Sequence, residues 1–127
     1  MLSDSAASAA IAAIAVRDLD RAKAFYRDTL GFPLQDANSE VLSFKTGPGK
    51  MFVYRSQFAG TNKATAAMFE VKDVAAEAAE LNAKGVTFEH YDNLKGLTLK
   101  GDVYVGDGMS VAWFKDPDGN ILSLIGD

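Results

Sequence analysis

Two short stretches, Val16-Arg17-Asp18-Leu19 and Val71-Lys72-Asp73-Val74, resemble each other and lie 55 residues apart, from residue 18 to residue 73. Each follows an apolar run, and each precedes a segment whose apolar residues recur with the period of an amphipathic helix. The aspartate in each stretch suits a helix N-cap, and a glycine, Gly31 or Gly85, follows each helical segment. The chain therefore carries two copies of a strand-to-helix unit.

A longer match joins residues 41–54 to residues 111–124, at an offset of 70 (41 to 111). Val, Phe, Lys and Gly coincide at the first, fourth, fifth and ninth positions, and both stretches have a strand–turn–strand pattern with Pro and Gly in the turn. Chance similarity between two hairpins is the alternative. Two matches in the same order favour an internal duplication, whose second copy carries about 15 additional residues (offset 55 to 70) before the hairpin.

The duplication predicts an α+β fold of two tandem βαβββ modules in a single domain. The first module covers residues 9–55, residues 56–63 connect, and the second module covers residues 64–127 with an insertion at 91–109. The expected strands lie near 9–16, 33–37, 40–46, 50–55, 65–71, 86–90, 110–115 and 120–125, and the expected helices near 19–30 and 74–84. The Gly-rich insertion is expected to be loop around a short strand at 103–105, and it is either a lid over a cleft or a surface insertion.

The composition excludes several kinds of chemistry. The 127 residues include no cysteine and one histidine, His90, so disulfide scaffolds, Cys-ligated zinc and cysteine nucleophiles are excluded. Seventeen acidic residues against 13 basic ones give a net charge of −4, which argues against a broad surface for nucleic acid or anionic membranes. The apolar run Ala6–Val16 follows an acidic residue and no Lys or Arg, so we expect a buried strand and a cytoplasmic location.

Two motifs resemble a known superfamily. VRDLDRAKAFYRDTLGF at 16–32 and AWFKDPDGNILSL at 112–124 are similar to the vicinal oxygen chelate superfamily, the glyoxalase, bleomycin-resistance and extradiol dioxygenase group. The resemblance covers nearly the whole chain. It implies that the two modules form a curved mixed sheet around a cleft.

The resemblance also implies where the superfamily's enzymes hold a divalent metal, at one position on the first strand and one on the last strand of each module. These positions map onto Ile11, Val53, Ala66 and Ser123. Ile, Val and Ala have no donor atom, and Ser is a poor ligand without carboxylate or imidazole partners. We therefore expect no metal and no other cofactor, and resemblance to the metal-free, bleomycin-resistance-like branch, whose members bind a small molecule.

Alternation along the strands predicts which residues line the cleft. Large apolar residues such as Leu42 and Phe44 are assigned to the helix-facing side of the sheet. The residues that alternate with them along the strands are assigned to the side that faces the cleft. The candidate ligand-binding residues are Ser43, Met51, Val53, Arg55, Met68, His90, Trp113 and Ser123. Trp113 is expected to stack on a planar ligand or to pack elsewhere on the sheet, and Arg55 and His90 to act as polar anchors or to lie exposed. This set favours a small apolar or aromatic ligand, held for sequestration, resistance or sensing.

Two other functions stay open at this point. A lyase, isomerase or dioxygenase of the same superfamily would need displaced metal ligands, such as Glu70, Glu89, His90 or Asp102. An interaction module would fill the apolar cleft with a partner chain, and the resemblance is compatible with a homodimer. Neither nucleic acid nor a membrane is expected as a partner.

Overall fold

The computed structural model describes residues 1–4 and 9–127. A 3-10 turn, Leu2–Asp4, precedes the first module, and residues 6–8 of the N-terminal apolar run lie outside the described part. The first module consists of β1 (Ala12–Val16), α1 (Leu19–Lys23) with a π-helical continuation (Ala24–Thr29), β2 (Leu34–Ala37), β3 (Val41–Thr46) and β4 (Gly49–Arg55). The second consists of β5 (Thr65–Glu70), α2 (Val74–Ala83), β6 (Phe88–Glu89), β7 (Thr98–Lys100), β8 (Val103–Gly106), β9 (Met109–Lys115) and β10 (Ile121–Gly126).

The two modules have the same connectivity. In the first sheet the order is β1-β4-β3-β2, with β1 parallel to β4. In the second sheet the order is β5-β10-β9-β8-β7, with β5 parallel to β10 and β6 paired to β9. The edge strands β1 and β5 lie next to each other, and the helix-facing sides of both sheets share one apolar core. The predicted α+β fold of two βαβββ modules is confirmed.

Local signals place both helices as expected. The carboxylate of Asp18 accepts hydrogen bonds from the N–H groups of Asp20 and Arg21, and that of Asp73 accepts one from Ala76. Gly31 and Gly85 follow the helices with φ of 84° and 94°, a conformation that favours glycine.

The second half of the first helix is wider than an α-helix. The N–H of Leu30 donates to the carbonyl of Phe25, five residues earlier, at 2.9 Å. Phe25 and Tyr26 are consecutive, and both pack inward. The ring centroid of Phe25 lies 6.5 Å from that of Phe114, and that of Tyr26 lies 5.8 Å from that of Phe44. The helix therefore contacts both sheets at once.

The insertion is more ordered than its glycines indicate. The expected strand at 103–105 is confirmed by β8, which pairs with β9, whereas the loop expected at 98–100 is wrong because β7 pairs with β8. The insertion thus extends the second sheet by a hairpin.

The prediction that Met51 and Val53 of β4 line the cleft is wrong. Leu42 lies directly opposite Val53, and Phe44 lies directly opposite Met51, so each pair shares a face. All four side chains are buried in the shared core. Met51 and Val53 therefore face the helices and do not line the cleft face, by which we mean the side of each sheet away from the helices.

None of the helices in the described ranges, 1–4 and 9–127, is long and apolar enough to cross a membrane.

Candidate ligand-binding site

Three neighbouring strands of the second sheet place Met68, Ser123 and Trp113 in one row on the cleft face. Ser123 of β10 lies directly opposite Trp113 of β9 and beside Met68 of β5. The residues that alternate with them, among them Phe114 and Leu122, are buried on the helix side. Met68 is 54% exposed, whereas Ser123 is fully buried. These three residues are among those predicted from the sequence to bind a ligand, and the structure brings them together.

The insertion and β5 hold the Trp113 side chain in place. The rings of Tyr91 and Tyr104 form T-shaped pairs with it, with centroids 5.6 and 5.5 Å from its own and interplanar angles of 77° and 66°, a favourable aromatic geometry. Its indole N–H donates to Oγ1 of Thr65 at 3.1 Å. The Tyr104 hydroxyl in turn donates to the backbone carbonyl of Tyr91 at 2.9 Å and accepts from its N–H. Trp113 is therefore an ordered aromatic surface before any ligand arrives.

Tyr91 and Tyr104 were missed by the sequence analysis. Tyr91 precedes the glycines of the insertion and Tyr104 lies among them, and their position in a Gly-rich stretch is the one sequence signal that pointed to them. Their role depends on β8 pairing with β9, which places Tyr104 opposite Val111, two residues before Trp113. We call the set Thr65, Met68, Tyr91, Tyr104, Trp113 and Ser123 the Trp113 site.

Two hydroxyl groups of this site have no hydrogen-bond partner within residues 1–4 and 9–127. The side-chain oxygens of Ser123 and Tyr91 are buried and form no hydrogen bond among the described residues. Burial, and next the nearby carboxylate of Glu89, raise the pKa of the Tyr91 phenol, so it keeps its proton at neutral pH. Buried polar groups without partners are uncommon, and a ligand can satisfy these two without breaking a bond within the protein.

Arg55 and His90, the expected polar anchors, are engaged elsewhere. Arg55 ends β4, and its Nη1 lies 3.8 Å from Oε1 of Glu40 in an exposed groove. Nε2 of His90 lies 2.8 Å from Oδ1 of Asp102, and Oδ2 of the same carboxylate accepts from the amide of Asn82 on α2. Ser43 is half-buried on the cleft face of the first sheet, where it pairs with Phe52.

The sequence model of the Glyoxalase/Bleomycin resistance protein/Dioxygenase superfamily matches residues 8–124 of the chain. The chain belongs to this superfamily. No curated protein matches it.

Solved structures of superfamily proteins share the fold. A lactoylglutathione lyase from Agrobacterium tumefaciens superposes with a TM-score of 0.70 at 21% identity, over 96% of each chain. A fosfomycin resistance protein from Listeria monocytogenes gives 0.68 at 14% identity, over 94% of this chain and 92% of its own. An antibiotic binding protein from a Streptomyces species gives 0.63 at 22% identity, over 96% and 98%. At these identities the likeness is one of fold.

The structure corrects one of the superfamily's metal positions. Lys45 pairs with Lys50 around a turn of four residues (46–49), whereas Lys115 pairs with Ile121 around five (116–120). An alignment without a gap therefore shifts β4 by one residue against β10. The counterpart of Ser123 is Phe52, and not Val53, which is in the core.

The corrected positions do not fit a divalent metal. They hold Ile11, Phe52, Ala66 and Ser123, and the only donor atom among these side chains is one serine hydroxyl. Across residues 1–4 and 9–127, no three His, Asp or Glu side chains converge as metal ligands would. Three of the four ligands named for a displaced site are engaged in other contacts, since Glu89 pairs with Lys115 at 3.3 Å and His90 with Asp102 at 2.8 Å.

Proposed function

We propose that this protein binds a small, largely apolar or aromatic molecule at the Trp113 site and does so without a metal, for sequestration, resistance or sensing. The observation that carries the proposal is an indole in T-shaped contact with two tyrosines, in a site that includes two buried hydroxyls without a hydrogen-bond partner in the described part of the chain. An antibiotic binding protein and a fosfomycin resistance protein share its fold, which supports a small molecule as the class of ligand.

Each part of the site suits a different part of such a ligand. Stacking on Trp113 contributes about 0.5–1.5 kcal/mol beyond the burial of apolar area. Met68 is exposed, flexible and polarisable, so it can adapt its packing to an apolar body placed over the row. The hydroxyls of Tyr91 and Ser123 would orient a polar group of the ligand, since each hydrogen bond to a buried group contributes about 1 kcal/mol.

The test uses the single tryptophan of the chain as the reporter. Aromatic metabolites and antibiotics, bleomycin-type drugs among them, are screened for stabilisation of the protein against heat and for a change in Trp113 emission. Ligands that stabilise the protein are expected to shift or quench that emission. A ligand that raises Tm and leaves the emission unchanged would place binding elsewhere and contradict the proposal.

A pair of variants distinguishes binding at the Trp113 site from nonspecific hydrophobic binding. Met68→Ala is expected to weaken binding by about three- to tenfold through lost contact area. Phe58→Ala removes a side chain that is 66% exposed in the connector, and it is the matched control, with no change expected. Equal loss in both variants would argue for unspecific binding. Stoichiometric Zn, Ni, Fe or Mn that survives dialysis and is lost in His90→Ala would favour the enzyme alternative instead.

A further inference from the structure

The duplication creates two equivalent junctions between the modules, and one of them is closed. There the turn Asp116–Asn120 of the second module lies against β1 and α1 of the first. Tyr26 donates its hydroxyl proton to Oδ2 of Asp116 at 2.8 Å, and the Asn120 amide donates to the carbonyl of Ala15 at 2.8 Å. The N–H of Gly60 donates to Oδ1 of Asn120 at 3.2 Å. Asp116 and Asn120 are buried, so this turn fills the junction.

The second junction also brings a hairpin turn of one module towards the helix of the other, but it lacks the residues that form these hydrogen bonds. By the offsets of 70 and 55, Thr46 is the counterpart of Asp116 (46 to 116) and Leu81 the counterpart of Tyr26 (26 to 81). Thr46 and Leu81 cannot form a phenol–carboxylate hydrogen bond, and the turn that carries Thr46 is one residue shorter. What remains between the modules is a cavity of about 370 Å³, lined by both of these residues.

This inter-module cavity is distinct from the Trp113 site. Its wall includes Phe114 and Leu124, which point to the helix side of the second sheet, whereas Trp113 lies on the other face of β9. Met68, on the edge strand β5, is the one residue that belongs to both. The volume is within the range of about 300–1,000 Å³ that is usual for small-molecule pockets.

The lining combines an apolar body with negative charge. Leu30, Phe32, Phe69 and Leu81 are among the large apolar residues of the lining, and Glu70 and Glu77 are its two acidic residues. The lining contains no Lys or Arg, and neither glutamate takes part in an ion pair within the described residues. Two glutamates without an ion-pair partner in the described part of the chain, in a lining that is otherwise largely apolar, complement an organic cation, because a protonated amine forms charge-assisted hydrogen bonds to carboxylates.

We propose that the inter-module cavity is a second binding site, which takes a small organic ammonium ion with an aromatic or alkyl body. The ammonium group binds at Glu70 and Glu77, and the apolar body packs against Phe32, Phe69 and Leu81. This site does not depend on the function proposed for Trp113.

Three probes of one shape test the charge requirement. The probes 4-phenylbutylammonium, 4-phenylbutan-1-ol and 4-phenylbutyrate are titrated into the full chain by calorimetry, and amide chemical shifts locate the contact. The ammonium probe is expected to bind at least about tenfold more tightly than the alcohol, with the carboxylate weakest. The shifted amides are expected at 46–47, 69–71 and 77–81. Equal affinities for the three probes, or shifts centred on β9, would overturn the proposal.

Substitutions on the exposed glutamates complete the test. Glu70→Gln with Glu77→Gln is expected to abolish the preference for the ammonium probe while Tm changes little, since both side chains are exposed. Glu80→Gln, also on α2 but outside the lining, removes the same kind of charge and is the matched control. An equal loss of affinity in the control would assign the effect to net charge and reject the site.

A double variant that fills the inter-module cavity provides an independent test. Thr46→Asp with Leu81→Tyr rebuilds the pair that closes the other junction, and it is expected to exclude all three probes. If that variant fails to fold, the glutamate variants still decide the question. Sedimentation with and without probe adds a further outcome, because a dimer that the ammonium probe dissociates would make a second copy of the chain the occupant and would refute the proposal.

Discussion

The two junctions between the modules occupy equivalent positions in the internal repeat and differ in chemistry. At the closed junction, the turn Asp116–Asn120 presents a carboxylate and an amide to the other module, and hydrogen bonds hold the modules together. At the open junction, the turn at 46–49 presents a threonine, a proline and two glycines, and it leaves a cavity. The hydrogen bonds of the 116–120 turn are therefore expected to make the closed junction contribute more to stability than the open one.

The carboxylate of Asp116 is the centre of the closed junction. It accepts from the Tyr26 hydroxyl, from the backbone N–H and the side-chain amide of Asn120, and from the N–H of Asp118, at 2.8–3.0 Å. Asp118 in turn accepts from Arg21 of α1 at 3.2 Å. The buried Asp116 carboxylate and its four hydrogen-bond donors stabilise one another when all are present. Removal of one of these groups leaves others buried without a hydrogen-bond partner.

The largest difference between the junctions is expected for Asp116→Ala. Four donors lose their acceptor in a buried place, and the cost in the free energy of unfolding is expected to be about 3–5 kcal/mol. The counterpart variant Thr46→Ala is expected to cost less than about 1 kcal/mol, because Thr46 is only half-buried. Urea denaturation of both variants measures the comparison, and similar costs would mean that the two turns contribute equally.

Gly60→Ala tests the closed junction through the backbone. Gly60 has φ of 70°, and a Cβ there would overlap the carbonyl oxygen of Asp118. A cost of about 2–3 kcal/mol is expected, since the strain of this conformation adds to a clash with backbone. Gly47 in the open turn has φ of 56°, and a Cβ at this position would have no neighbouring atom within 4 Å, so Gly47→Ala is expected to cost only about 1 kcal/mol. Unfolding curves that coincide for the two variants would rule out the clash.

Much of the fold could be predicted because its signals are local. The caps at Asp18 and Asp73 and the glycines after each helix act within one turn of chain, so their spacing is visible in the sequence. The face of β4 could not be predicted, since it depends on one residue of difference between two hairpin turns.

The candidate site was predictable only in part. Met68, Trp113 and Ser123 follow from the repeat and from strand alternation. Tyr91 and Tyr104 depend on how the insertion pairs with β9, which is a non-local contact. Residue type alone also did not reveal that Glu40 engages Arg55 and that Asp102 engages His90.

Among the three variants of the closed junction, Tyr26→Phe is expected to lower the free energy of unfolding least at neutral pH, after Asp116→Ala and Gly60→Ala. The pH dependence of its effect nevertheless distinguishes the two junctions most specifically. Loss of the hydrogen bond to Asp116 is expected to cost about 1–2 kcal/mol. Burial, and next the charge of Asp116, raise the pKa of the Tyr26 phenol above its ordinary value near 10. The folded protein therefore holds this proton more tightly than the unfolded chain does.

The stability that Tyr26 contributes is consequently complete below pH 10 and falls as the pH rises above it, by up to about 1.4 kcal/mol for each pH unit. Urea denaturation of the wild type and of Tyr26→Phe between pH 8 and pH 11 measures this slope. The variant is expected to lose stability less steeply above pH 10, so that the two proteins converge there.

Tyr91→Phe provides the comparison outside the junction, since the pKa of Tyr91 is also raised but with no carboxylate hydrogen-bonded to its hydroxyl in the described part of the chain. The counterpart of Tyr26 in the open junction is Leu81, which has no proton to lose, so this loss of stability at alkaline pH is expected at the closed junction. Parallel slopes for the wild type and Tyr26→Phe would show that the phenol is not held by the closed junction.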